Sequence, residues 1–110
     1  MAGRASKDPQ EGGGTLTRTR SKAKLQPPSM WKVVLHNDDF TTQEFVVWLL
    51  KSVFRKPDAE AVRIMLSVHK EGRGLAGTYT RDVAETKLAQ AQRLAEAQEF
   101  PLLCTMEPEA

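Results

Sequence analysis

One hundred and ten residues, 40% of them apolar, allow one domain with a small core; the single cysteine excludes an intramolecular disulfide or a CxxC metal or redox site. The net charge of +2 hides a split: residues 1–27 carry six Lys/Arg against Asp8 and Glu11, about +4, and the rest carry ten against twelve, about −2. No apolar run approaches the ~20 residues of a membrane span and no secretory h-region opens the chain, so a soluble cytoplasmic protein without membrane association is expected.

Residues 1–29 lack apolar periodicity, contain Gly12-Gly13-Gly14 and end at Pro27-Pro28-Ser29, which predicts a flexible basic N-terminal extension. Order is expected to begin at Met30. Met30-Trp31-Lys32-Val33-Val34-Leu35 is β-branched and bulky and reads as a strand. Thr41-Thr42-Gln43-Glu44 matches a capping box, in which the Thr41 hydroxyl accepts from the Glu44 N–H and Glu44 reaches back. Phe45, Val46, Leu49, Leu50 and Val53 then recur at helical spacing, with Trp48 off their stripe. Arg55-Lys56-Pro57 ends that helix, and Asp58 is expected to cap the next.

In the second helix Val62, Met65, Leu66 and His69 recur at i, i+3, i+4 and i+7, and Gly72 reads as its stop. Gly72-Arg73-Gly74 reads as a turn, and Leu75 to Tyr79 as a short strand weakened by Gly77. Thr80 can cap a third helix through about Gln98, with Ala84, Leu88, Ala91 and Ala95 on its inner face; their small size implies close packing on a sheet. After Pro101, Leu102-Leu103-Cys104-Thr105-Met106 reads as the last strand. The order βααβαβ implies an α+β layer fold, three helices on a small antiparallel sheet, over residues 30–107.

The most polar stretch is His36-Asn37-Asp38-Asp39-Phe40-Thr41, at the junction of the first strand and first helix. A turn needs one Asn or Asp; three beside a histidine is more than a turn needs. Two histidines with Asp38 and Asp39 could ligate a metal, although His36 and Asn37 alternate sides on a continuing strand. No nucleophile motif, P-loop or dinucleotide fingerprint occurs, and Cys104 sits among apolar neighbours with no base adjacent in sequence. The basic extension has no aromatics to stack on bases, which argues against a nucleic-acid arm. Asn37, Asp39 and a neutral His69 together suit an ammonium group, with Val46, Met65 and Val68 as apolar neighbours. Such a pocket fits the first residue of a peptide, and amine capture is a known recognition mode. Local sequence leaves open the plainer readings: an Asx-turn at Asn37 and Asp39, core roles for Met65 and Val68, and a structural His69.

Several separate segments in order resemble the bacterial ClpS adaptors: Pro27-Pro28-Ser29-Met30, Asn37-Asp38-Asp39-Phe40-Thr41, Glu44-Phe45-Val46, Met65-Leu66-Ser67-Val68-His69, Val83-Ala84-Glu85-Thr86-Lys87 and Pro101-Leu102-Leu103-Cys104-Thr105-Met106-Glu107. The resemblance covers about residues 27–107 and implies the same βααβαβ fold. It implies a monomeric adaptor without catalytic residues, metal or cofactor. Such an adaptor binds bulky hydrophobic N-terminal residues (Leu, Phe, Tyr, Trp) of N-degron substrates, delivers them to a Clp AAA+ unfoldase and its ClpP protease, and modulates the unfoldase's substrate choice.

By that resemblance Asn37, Asp39 and His69 contact the α-amino group, and Asp38 adds negative field. Leu35, His36, Thr41, Gln43, Val46, Met65, Val68 and Leu102 form the side-chain pocket. Glu85 and Lys87 dock on the N-terminal domain of the unfoldase, ClpA or ClpC-like, and the N-terminal extension engages it during handover. Gln43 stands where many members carry a gating Met, Thr42 where Pro is common, Phe40 where Tyr is common, and His36 where an aliphatic residue is usual.

Overall fold

The computed structural model describes residues 28–110. The expected N-terminal extension lies outside the described residues apart from Pro28 and Ser29, both exposed. Six elements follow in the predicted order: β1 (Met30–His36), α1 (Gln43–Ser52), α2 (Asp58–Glu71), β2 (Arg73–Thr80), α3 (Arg81–Ala97) and β3 (Leu103–Pro108). The strands form one antiparallel sheet in the order β2-β1-β3, so the most apolar strand is central.

The alternation of a strand sends Val33 and Leu35 to one face, where they join residues of all three helices in one core. Val34 lies outside that core cluster, between Leu75 and Thr105 in the register, and is also buried. The pairing of β1 with β2 slips between Val33 and Val34, which face Gly77 and Leu75; the extra residue, Ala76, is fully buried. α3 approaches the sheet through Ala84, Ala91 and Ala95, each with no exposed surface, so small side chains do set close packing there. Gln92 holds the start of β3 against α3: its amide donates to the Leu102 carbonyl (3.2 Å) and its oxygen accepts from the Cys104 N–H (2.8 Å). Cys104 is buried, and desolvation pushes its thiol up to about 12; a thiol kept protonated is not a nucleophile.

The boundaries and faces differ from expectation in five places. The cap of α1 is Thr42, whose hydroxyl oxygen accepts from the Phe45 N–H at 3.1 Å; the capping box on Thr41 does not form. α2 starts from the Pro57 carbonyl, with Asp58 as its first helical residue, paired with Lys51 at 2.7 Å. The buried face of α2 is Ala61, Ile64, Met65 and Val68, whereas Val62 and Leu66 are exposed and His69 is outside the core. Thr80 takes the cap position of α3 without a side-chain bond. The expected Gly72–Gly74 turn narrows to Gly72, because Arg73 and Gly74 already pair with His36 and Leu35.

α2 ends at Gly72 with φ +91°, a backbone that favours glycine. Arg55 (φ +58°) and Glu99 (φ +62°) take the same left-handed turn after α1 and α3, closed by bonds from the Lys56 N–H to the Leu50 carbonyl and from the Phe100 N–H to the Ala95 carbonyl. Each proline follows two residues later, so Pro57 and Pro101 mark chain that has already left its helix.

Candidate functional site

Two contacts of Gly72 bring distant parts of the chain together. Its N–H donates to the Val68 carbonyl (3.0 Å), closing α2, and its carbonyl accepts from the Asn37 N–H (2.9 Å). The loop after β1 is thereby fastened to the end of α2, within one helical turn of His69. Sequence spacing alone gives no sign of this link.

Asp38 builds the corner from within. One carboxylate oxygen accepts from the N–H groups of Phe40 (2.8 Å) and Thr41 (2.7 Å), and the other from the Thr41 hydroxyl (2.7 Å). The Asx-turn therefore belongs to Asp38, and the Thr41 hydroxyl is a donor to it rather than a helix cap. Partial burial acts to raise the Asp38 carboxyl, but the Thr41 and Phe40 hydrogen bonds outweigh it and hold the group below its ordinary value of 3.8. With the folded value depressed, the stabilisation is complete above 3.8 and is lost as pH falls through the lower folded value. An NMR titration of the Phe40 and Thr41 amides is expected to show a midpoint below 3.8; a midpoint at or above 3.8 would contradict the turn.

With Asp38 so engaged, Asn37, Asp39 and His69 keep their polar atoms for something else. Among the described residues, none of these three side chains makes a hydrogen bond or ion pair. With Asp38 they line a hollow of about 270 Å³. Val46 of α1 and Met65 and Val68 of α2 supply its apolar side, and Thr41 and Gln43 complete it. Nine of the twelve residues expected at the site thus line one hollow. Leu35 and Leu102 are not in the lining; both are buried in the core. His36 is also outside it: its Nε2 lies 2.7 Å from the Thr105 hydroxyl, because alternation along β1 turns it away from Leu35. Phe40 projects from the corner, 74% exposed.

The lining offers acceptors to a cation and an apolar wall to a hydrophobic group. Among the described residues, no group of three or more His, Cys, Asp or Glu side chains is placed to hold a metal ion. On α3, Glu85 is exposed and pairs with Arg81 at 3.2 Å. Lys87 turns inward: its ammonium donates to the Val53 carbonyl at the end of α1 (2.7 Å) and lies 5.5 Å from the centre of the Tyr79 ring.

The sequence model of the family described as "ATP-dependent Clp protease adaptor protein ClpS" matches residues 26–105. The chain belongs to the ClpS family. A ClpS adapter protein of Desulfatibacillum aliphaticivorans is 53% identical over 104 residues, covering 94% of this chain and 99% of the relative. Another, from Myxococcus xanthus, is 51% identical over 94 residues, covering 86% and 88%. Among solved ClpS structures, that of Agrobacterium tumefaciens ClpS2 bound to L-phenylalaninamide superposes with a TM-score of 0.72 at 42% identity, covering 76% of this chain and all of that one. Helices and sheet thus have the ClpS arrangement, and the relatives are named as adapter proteins of the ATP-dependent Clp protease.

Proposed function

We propose that this ClpS-family chain recognises the first residue of a peptide and hands the bearer to a Clp protease. The observation that carries this reading is the mixed lining of the hollow. Asn37, Asp39 and His69 bring polar atoms that have no partner among the described residues, and Val46, Met65 and Val68 bring apolar surface. An N-terminal Leu, Phe, Tyr or Trp has an ammonium and a bulky apolar side chain on one carbon. L-phenylalaninamide, the ligand of the Agrobacterium relative, has the same two features, which supports the reading. Asp38 acts behind this set, fixing the loop and adding negative charge.

The energies are sufficient. Burial of a Leu or Phe side chain contributes about 1.5–3 kcal/mol, and each hydrogen bond to a charged group about 1.5–3 kcal/mol. After the costs of association, micromolar binding of about −8 kcal/mol follows. An adaptor that must release its cargo works in that range.

In this reading the protein is a monomer without cofactor, acts in the cytoplasm, and docks through α3 on the N-terminal domain of a ClpA or ClpC-like unfoldase, whose choice of substrates it biases. Glu85 is the outward contact of that surface. Lys87 holds α3 to the end of α1, and so contributes by fixing the surface's shape. The N-terminal extension engages the unfoldase during handover.

Calorimetry with Leu-initiated and Phe-initiated peptides and with acetyl-Leu peptide tests the core of the proposal. Binding of the first two in the micromolar range and none of the third is expected, because acetylation removes the ammonium. Equal binding of the acetylated peptide would refute amine recognition.

A further inference from the structure

We infer that the site also selects an apolar residue at the third position of its peptide; this rests on the function proposed above. Beside the first hollow lies a second, of about 410 Å³, lined by Gln43, Glu44, Val47, Trp48, Lys51 and Met65. Gln43 and Met65 line both hollows, so these two side chains are the wall between them.

Trp48 is the unexplained member. It lies off the buried stripe of Phe45, Val46, Leu49 and Leu50, leaves 48% of its surface in water, and rests its ring 5.7 Å from that of Phe45. Nothing in the core requires an indole there. With Val47 and Met65 it makes the hollow mainly apolar. Lys51 is drawn to Asp58 and neutralised (2.7 Å), while Glu44 has no ion-pair partner among the described residues. The hollow therefore favours an apolar side chain and disfavours an acidic one.

Continuity with the first hollow identifies the occupant. A peptide held by its ammonium at Asn37, Asp39 and His69, with its first side chain against Val46 and Met65, must continue across the rim. In an extended chain, side chains alternate, so the first and third point to the same side, roughly 6.5–7 Å apart. That is the span of a wall one side chain thick. The second side chain points to solvent, and the third enters the hollow under Trp48.

The test uses the full chain and peptides beginning Leu-Ala-Ala, Leu-Ala-Leu, Leu-Leu-Ala and Leu-Ala-Glu, otherwise identical, with Kd read by calorimetry. Leu at position three is expected to bind about fivefold tighter than Ala there, as partial burial of one apolar side chain predicts. Leu at position two should gain less than about twofold by the same measure, and Glu at position three should bind worse than Ala. In Trp48→Ala the ratio between Leu-Ala-Leu and Leu-Ala-Ala should fall to about one, a change in selectivity that mere loosening of α1 would not produce. Equal Kd values for those two peptides in the unaltered protein, or a ratio retained in Trp48→Ala, would overturn the inference. So would sedimentation showing a dimer that Trp48→Ala dissociates, since a second copy would then occupy the hollow. If Leu-Ala-Ala binds no better than its acetylated form, amine recognition itself has failed; if it binds but shows no preference at position three, only this inference has.

Discussion

Replacing Asp39 with alanine is expected to weaken binding of a Leu-initiated peptide by about tenfold to a hundredfold, the loss of one charge-assisted hydrogen bond. The size follows from the division of labour at the corner. Asp38 spends its carboxylate on Phe40 and Thr41, whereas Asp39 is exposed and its side chain makes no bond among the described residues. Its charge is therefore available to a ligand, and its removal leaves no buried group unpaired. The melting temperature of Asp39→Ala should stay within the range of an ordinary surface change, about ±0.5 kcal/mol. Calorimetry at pH 7 measures the first effect and a thermal melt the second. An unchanged Kd would remove Asp39 from the site, and a lost Kd accompanied by a collapsed melt would give it a structural role instead. The same ammonium makes binding pH-dependent on the ligand side: affinity should fall above about pH 8, as the peptide amine loses its proton.

Gly74→Ala is expected to lower the stability of the whole domain by about 1–3 kcal/mol, the usual cost of overpacking, which is roughly 5–15 °C in Tm for a domain of this size. Gly74 lies where β2 packs against Ile64 and Val68 of α2. A Cβ there would sit 2.6 Å from Cγ2 of Val68 and 3.1 Å from the Ile64 carbonyl oxygen. Neither neighbour yields cheaply, since Val68 is buried and β-branched and the carbonyl is helical backbone. Val68 also lines the first hollow, so the displacement should reach the ligand. A Leu-initiated peptide should bind Gly74→Ala more weakly at temperatures where the variant is still folded. An unchanged melt would show that α2 can lift off the strand without cost.

These two residues mark how the site could and could not be read from the chain. Asn37, Asp38 and Asp39 were conspicuous because three such residues exceed the needs of a turn. Their separate tasks were not, since side chains of the same chemistry compete for one turn and only the folded loop decides which wins. Thr41 and Thr42 posed the same choice for the helix cap, and the carboxylate of Asp38 resolved it by engaging Thr41, leaving Thr42 to the Phe45 N–H. In α2 the apolar residues Ala61, Val62, Ile64, Met65, Leu66 and Val68 cover more than one side, so periodicity does not choose a face. Packing chose the side of Ala61, Ile64, Met65 and Val68, on which Val68 meets Gly74. The ends of α1 and α3 gave no glycine signal because Arg55 and Glu99 adopt the left-handed turn.

What the chain determined by itself is the order of elements, the apolar first strand and the stripe of α1, because strand alternation, helical spacing and glycine or proline stops act over a few residues. The resemblance of its motifs to the ClpS adaptors likewise needed no coordinates. Tertiary structure alone decided what closes the site. The Gly72 carbonyl fastens Asn37 beside the end of α2, Leu35 and Leu102 go to the core, His36 turns to Thr105, and Trp48 stands over a second hollow. Each of these depends on groups far apart in the chain meeting at one place, and that meeting is set by how helices and sheet pack rather than by any local spacing.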